Sequence, residues 1–390
     1  MSFWEKQPVT VSPNNINQIL SSTDLLNKIN NDINNCKIKL EYNTFKGNDI
    51  LINKDLKSNI LNFINQNYVN MNDCFLTYSD EIISFYLNNS LLIQFYPKGS
   101  PEKIIGIIIG KKKILHIKDT ISNIVEVNFL CLAPQLRTLH IAPYIIGVLT
   151  KETVIQLDIS TAYYTINNNI KSESFGKKTM FHKPLNIRNL ILSKFFTGAT
   201  IDKELKIYEN YFNNYNRSKK VIYISNKSKI SDKILTEIHD KLFEYSKKTY
   251  DIFDYNSKED ISMILKNPYF YNFLFYENNI LSDFISIYRL DSYNKVTNYG
   301  YKNGYIYLLA LKESNLLYID EIMDSISAFV YDNKNLEMFD LISLTDIFPI
   351  KTKEDYLKMK FIEGSGSLNY YVFNMNVNKI DNMKNGLVTI

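Results

Sequence analysis

Chemistry in this chain is most legible where Glu126-Val-Asn-Phe-Leu-Cys131 runs into Leu136-Arg-Thr-Leu-His-Ile-Ala-Pro143. The first stretch has the Val and Phe content of a strand. Ala142-Pro143 opens a helix expected over residues 137–151, because proline is tolerated in a first turn. Strand, loop and helix N-terminus in this order make an anion site. The first-turn amides lack intrahelical partners and the helix dipole adds partial positive charge. Arg137 would add a charge-assisted donor. Many α/β folds contain the same unit as an ordinary crossover, so spacing alone leaves both readings open. At the far end, Leu387, Val388, Thr389 and Ile390 read as a buried strand rather than a frayed tail. Cys131 lies in a hydrophobic strand with no His or Asp signature nearby and reads as a packing residue.

The elements that must hold these residues follow from periodicity. Residues 55–67 form a helix with Leu56, Ile60, Leu61 and Ile64 on one face. Ser79 caps a short helix through Leu87. Strands are expected at 91–96, 104–109, 114–117 and 124–132, with Lys111-Lys-Lys113 as a solvated hairpin turn. A strand at 156–166 and a short helix at 187–195 follow. The polar run at 213–220 marks a boundary, giving domains 1–215 and 216–390. Beyond it lie a strand at 221–224, a helix at 231–247 capped by Ser231, and a capping box at Ser257 and Asp260. Strands at 269–276 and 282–288, a helix at 319–331, and strands at 337–342, 368–374 and 387–390 complete the chain. Helices interrupt a sheet without strict alternation, which supports an α/β (α+β) class. The sequence contains no direct repeat.

Composition narrows the function. The 390 residues suffice for two domains, and 45% hydrophobic content is that of a globular protein. A net charge of +4 with dispersed basic residues gives no nucleic-acid footprint. Cys36, Cys74 and Cys131 have neither metal spacing nor an even count, which suits a reduced, cytoplasmic protein. No apolar run reaches the length of a membrane span.

The residues at 126–143 and the ending Gly386-Leu-Val-Thr-Ile390 together resemble the N-myristoyltransferases. Phe3-Trp-Glu-Lys-Gln-Pro-Val9, Ala162-Tyr-Tyr-Thr165, Phe181-His-Lys-Pro-Leu-Asn186 and Gly364-Ser-Gly-Ser-Leu-Asn-Tyr-Tyr371 extend the resemblance across the chain. The resemblance implies two pseudo-symmetric GNAT-type halves, a mixed sheet with flanking helices, and transfer of myristate from myristoyl-CoA to an N-terminal glycine. It assigns the Phe129 and Leu130 amides to an oxyanion hole, where a β-bulge would free them from the ladder. Asn128 and Thr165 would orient the amine, and the Ile390 carboxylate would act as base. Coenzyme A would contact Phe3, Trp4, Phe129, Leu130 and the run Arg137, Thr138, Leu139, His140, Ile141, Ala142 and Pro143. Tyr68, Val69, Tyr78, Tyr208 and Ser365 would line the peptide groove. The family's Ser and two cations fall on Thr138, Leu139 and His140, which implies weaker attraction for CoA. Ser365 replaces an acid and the acidic run after Val69 is thinned, which implies less dependence on a basic residue in the substrate. His182 is expected to be structural. The implied partners are glycine-initiated proteins and a CoA thioester, with no metal, no prosthetic group and a monomeric state. The alternatives are a GNAT-type transferase with another acyl-CoA or amine, and a non-catalytic acyl-CoA-binding relative.

Overall fold

A computed structural model describes residues 9–11, 19–69, 74–167, 170, 173–350 and 352–390. After β1 (Val9–Val11) and α1 (Ser22–Asn34), a first series comprises β2 (Glu41–Lys46), α2 (Gly47–Ile52), α3 (Lys54–Asn67), β3 (Cys74–Thr77), α4 (Asp80–Leu87), β4 (Ser90–Tyr96), β5 (Gly106–Ile117), β6 (Thr120–Leu132), α5 (Ala142–Leu157), β7 (Ala162–Ile166) and β8 (Gly176–Pro184). Helices α6 (Ile187–Leu192) and α7 (Ile201–Phe212) lead to the second series. It comprises β9 (Ile222–Ile224), α8 (Asp232–Thr249), β10 (Ile252–Tyr255), α9 (Lys258–Lys266), β11 (Phe270–Glu277), β12 (Ile280–Asn294), β13 (Tyr299–Ala310), α10 (Leu316–Asp332), β14 (Leu341–Thr345), α11 (Lys353–Lys358) and β15 (Ile362–Phe373), followed by β16 (Met375–Val377).

The two series match element for element once α2 and α11 are set aside. In each, three long strands are antiparallel neighbours, and the third crosses through a helix to a parallel fourth. All lie in one 14-stranded sheet with main path β2-β4-β5-β6-β7-β15-β8-β14-β13-β12-β11-β9. The series exchange strands. β15 pairs with β7 and β8 with β14, while β8 and β15 run antiparallel to each other between them. At the other ends of the long strands, β10 pairs with β5 and β3 with β12. This is a mixed α/β fold of two pseudo-symmetric halves. Its symmetry lies in hydrogen-bond topology, which explains why no residue repeat betrays it.

Local chemistry sets many boundaries. Ser79, Ser231 and Ser257 each accept a hydrogen bond from a first-turn amide of α4, α8 and α9, and Asp260 closes the capping box on Ser257. Asn53 does the same for α3, whose Ile60 and Ile64 are buried.

Several expectations fail for nonlocal reasons. Residues 106–109 and 114–117 are parts of one strand, β5, so Lys111-Lys-Lys113 is not a turn. Strand alternation sends Lys112 outward and buries its neighbours. Lys113 Nζ lies 3.1 Å from Asp254 and 3.8 Å from Glu126. Lys111 Nζ donates to the Phe85 carbonyl at 2.8 Å and sits 4.4 Å from that ring's centroid. The helix expected from residue 137 starts at Ala142, after a 3₁₀ stretch Pro134–Leu139 and a left-handed His140. It then continues through residues 156 and 157, which were expected to begin a strand. Residues 387–390 form no strand. The carbonyls of Leu387, Thr389 and Ile390 bond to side chains instead, as described below.

Candidate active site

Strands β5 and β6 slip register opposite Ile108. Ile107 faces Cys131 and Ile109 faces Asn128, so Phe129 and Leu130 together oppose one residue. This is the bulge expected at the Phe-Leu step. It puts Phe129 at φ 50°, a region unfavourable for a bulky residue. Packing holds it there: the fully buried Phe129 ring lies 5.1, 5.2 and 5.0 Å from the rings of Tyr68, Tyr78 and Tyr86.

Asn128 joins three parts of the chain. Its Oδ1 accepts from the Tyr68 hydroxyl at 2.9 Å and from the Phe129 amide at 2.8 Å. Its Nδ2 donates to the Ile390 oxygen at 2.6 Å. The Phe129 amide is therefore engaged by Asn128 in this state, and offering it to an oxyanion requires that contact to open. Burial raises the Tyr68 hydroxyl to about 12, so it stays a donor at neutral pH.

A cavity of about 520 Å³ opens beneath the bulge. Ile108, Val127, Ile146, Leu149 and Phe373 give it apolar walls, and Asn128, Leu130, Thr165 and Asn167 also line it. Such a volume, apolar with a few convergent polar groups, suits a small-molecule site. Thr165 reaches it from β7, which runs parallel to β6. The strand thus brings Thr165 and Asn128 to one cavity, as expected.

The segment ending at Ile390 is held side chain by side chain. Gly386 lies so close to Tyr250 that a Cβ would come within 2.4 Å of the ring. Its amide donates to the Ile252 carbonyl at 2.8 Å. Leu387 is fully buried, and the Tyr288 hydroxyl donates to the Thr389 carbonyl at 3.3 Å.

The loop before α5 differs from expectation in one respect. Arg137 Nε donates to the Leu132 carbonyl at 3.1 Å, and an Nη donates to the Asn67 carbonyl at 2.6 Å. These bonds tie the loop to β6 and to the end of α3, so the guanidinium is partly committed to structure. Thr138, Leu139 and His140 are exposed, and Ile141 is buried. Among the described residues no side chain caps α5, which Ala142 and Pro143 open. Its first-turn amides therefore keep the character expected of an anion site. Phe3 and Trp4 lie outside the described residues.

The expected groove residues divide into separate groups. Tyr68 and Val69 line the cavity. Tyr78 is buried in the aromatic cluster, behind the cavity wall. Tyr208, on α7, packs 5.0 Å from Phe196 and does not line the cavity. Ser365 is exposed, where β15 slips register between Glu363 and Ser367. Next to it, a Cβ on Gly364 would come within 2.4 Å of His182 Nε2. His182 Nδ1 is 2.6 Å from Ser343 Oγ, which itself donates to Asn303 at 2.6 Å. The Phe195 ring lies 5.5 Å from the His182 ring. Desolvation lowers the imidazole to about 4, so it is neutral near pH 7 and serves this network.

Two groups of residues near the site were given no role in the sequence reading. Glu126, two residues before Asn128, is 2% exposed, and burial pushes its carboxyl up to about 7 while Lys113 pulls it down. Tyr288, Tyr370 and Lys178 all reach carbonyls of the terminal segment. Glu126 and Tyr370 lie within the motifs quoted above, which do not point to these contacts, and Lys178 and Tyr288 lie in none. Burial also raises the Cys131 thiol to about 12, which suits its reading as a packing residue.

Residues 21–174 match the family model for the N-terminal domain of myristoyl-CoA:protein N-myristoyltransferase. The chain is 24% identical over 405 residues to a glycylpeptide N-tetradecanoyltransferase of Plasmodium falciparum, covering all of this chain and 93% of that one. It is 24% identical over 399 residues to glycylpeptide N-tetradecanoyltransferase 2 of Bos taurus, covering 99% and 76%. The fold superposes on Saccharomyces cerevisiae N-myristoyltransferase with bound myristoyl-CoA at a TM-score of 0.76, with 18% identity and coverage of 100% and 94%. These relatives are named for tetradecanoyl transfer, and they match a chain whose bulged strand lies over an apolar cavity. The chain is thus similar to N-myristoyltransferases along its whole length, with the family-model match over residues 21–174.

Proposed function

We propose that this protein transfers myristate from myristoyl-CoA to the N-terminal glycine of proteins by direct attack. The observation that carries the reading is the Asn128 to Ile390 contact of 2.6 Å beside a bulged strand and an apolar cavity. The acyl chain fills the cavity, where each buried methylene contributes about 0.8 kcal/mol. The CoA phosphates lie against the loop 137–143 and the α5 amides. The glycine ammonium meets Asn128, Thr165 and the Ile390 carboxylate.

The carboxylate takes one ammonium proton. In water the two groups titrate near roughly 3.5 and 8, so burial and contact must narrow the gap. The neutral amine attacks the thioester carbonyl, forming the C–N bond and an oxyanion that the Phe129 and Leu130 amides receive. Collapse breaks the C–S bond, and the departing thiolate takes the second amine proton. Glycine is required because a side chain would crowd the attacking nitrogen.

The same reading gives residues 1–215 the acyl-CoA and residues 216–390, with Ser365, much of the peptide groove. It also makes the protein a cytoplasmic monomer. Fractionation and sedimentation test that part.

The test of function is acyl transfer from myristoyl-CoA to a glycine-initiated octapeptide. The full chain is compared with one lacking Ile390 and one extended beyond it. Activity that collapses on either change supports both the transfer and the base. Full activity with an altered terminus removes Ile390 from the mechanism. Tight acyl-CoA binding without turnover points to a binding protein, and a preference for shorter acyl chains points to another acyl-CoA transferase.

A further inference from the structure

Among the described residues the segment carrying Ile390 has no strand partner, yet its oxygen must meet Asn128 within a few tenths of an ångström. Its fixation depends on Leu387, three residues upstream. The Leu387 carbonyl accepts two hydrogen bonds, from Lys178 Nζ at 3.1 Å and from the Tyr370 hydroxyl at 3.0 Å. Both donors come from the central strands that the halves exchange: Lys178 from β8 and Tyr370 from its neighbour β15. Lys178 is fully buried, as are Leu387 and Tyr370. Its ammonium sits 5.7 Å from the Tyr370 ring centroid, which adds a cation–π attraction.

A fully buried lysine is rare unless it is paired. A carbonyl and a ring face are modest compensation for the water it has lost. Desolvation lowers its ammonium well below the ordinary lysine range, and Asp346 opposes that shift without reversing it. A Leu or Met at this position would pack without that cost but could not donate to the Leu387 carbonyl.

We infer that Lys178 is a positioning residue: with Tyr370 it clamps the Leu387 carbonyl, and the clamp sets where the Ile390 carboxylate meets the substrate amine. This rests on the proposed role of Ile390 as base. The donor from β8 and the donor from β15 converge on one acceptor, so the terminal segment is pinned to the seam between the halves. Asn128 then fixes the last residue from β6. Neither donor lines the acyl cavity, so the clamp acts on turnover and leaves acyl-CoA binding alone.

The experiment is a double-mutant cycle in the full chain between Lys178→Met and deletion of Ile390. It reads kcat and KM for a glycine-initiated peptide, together with myristoyl-CoA affinity by titration. The expected result is a fall in kcat of tenfold or more for Lys178→Met, with acyl-CoA affinity within twofold of the parent. Tyr370→Phe should give a smaller fall. In the chain lacking Ile390, Lys178→Met should lower kcat no further, because the clamp acts only through that residue. Parental kcat in Lys178→Met, while the deletion is inactive, would overturn the clamp and leave the base intact. An additional loss in the deleted background would also overturn it, since Lys178 would then act elsewhere. Full activity of the deleted chain would overturn the base and the clamp with it. If Lys178→Met fails to bind acyl-CoA, Tyr370→Phe decides. A reduced kcat with unchanged affinity supports the clamp, and a parental kcat overturns it.

Discussion

Replacing Asn128 with Ala removes three contacts at once. Two are neutral hydrogen bonds to Oδ1, from the Tyr68 hydroxyl and the Phe129 amide. The third is the Nδ2 bond to the Ile390 oxygen at 2.6 Å, charge-assisted if that residue carries the carboxylate. A hydrogen bond to a charged group contributes about 1.5–3 kcal/mol. If that contact is what aligns the base, kcat should fall by about 10- to 150-fold, at 1.36 kcal/mol per tenfold. The neutral pair acts in the other direction on one point. Without Oδ1 the Phe129 amide is released and becomes available to the oxyanion, so the loss should stay below the upper end. The Tyr68 hydroxyl loses its acceptor at a cost of about 1–3 kcal/mol to stability unless water replaces it. Acyl transfer to a glycine-initiated octapeptide gives kcat and KM, myristoyl-CoA titration gives affinity, and urea unfolding gives stability. Reduced kcat with intact acyl-CoA affinity is the expected pattern. A kcat within threefold of the parent would refute the idea that Asn128 aligns Ile390, whatever happens to stability.

Gly386→Ala forces a Cβ to within 2.4 Å of Tyr250; overpacking of this kind costs about 1–3 kcal/mol, and both the urea midpoint and kcat should drop, whereas an unchanged kcat would mean that the terminal segment need not be held closely. Ile146→Trp fills part of the cavity, so KM should rise for myristoyl-CoA more than for a decanoyl thioester; equal effects on the two would place the acyl chain elsewhere. His182 titrates near 4 when folded and about 6.5 when unfolded. The unfolded chain therefore binds the extra proton between those values, and the stability from the neutral ring is present above about 6.5 and lost as pH falls toward 4. The loss is up to about 3 kcal/mol, and His182→Gln should flatten the pH dependence of the urea midpoint in that window, while an unchanged slope would show that the ring titrates normally. A lysine scan of substrate peptides should show little gain from a downstream basic residue, since Ser365 carries no charge; a many-fold gain at one position would contradict this.

The elements with strong local signals were legible in the sequence. Ser79, Ser231 and Ser257 announce their helices because a side-chain oxygen satisfies an amide three residues on, a relation that needs no tertiary context. The Phe129-Leu130 bulge, the shared cavity of Asn128 and Thr165, and the similarity to N-myristoyltransferases were readable from motif residues. Tertiary structure decided the remainder. Lys111 and Lys113 look like a solvated turn until the Phe85 carbonyl meets the first, and Asp254 from β10 with Glu126 from β6 meets the second. Arg137 looks free until the end of α3 offers it a carbonyl. Residues 387–390 look like a strand because they are apolar, but their place is set by Lys178, Tyr370, Tyr288 and Asn128. The physical reason is the strand exchange between halves. Sequence sets side-chain chemistry and local capping, but only pairing across the seam brings donors from β6, β8, β12 and β15 onto one terminal segment.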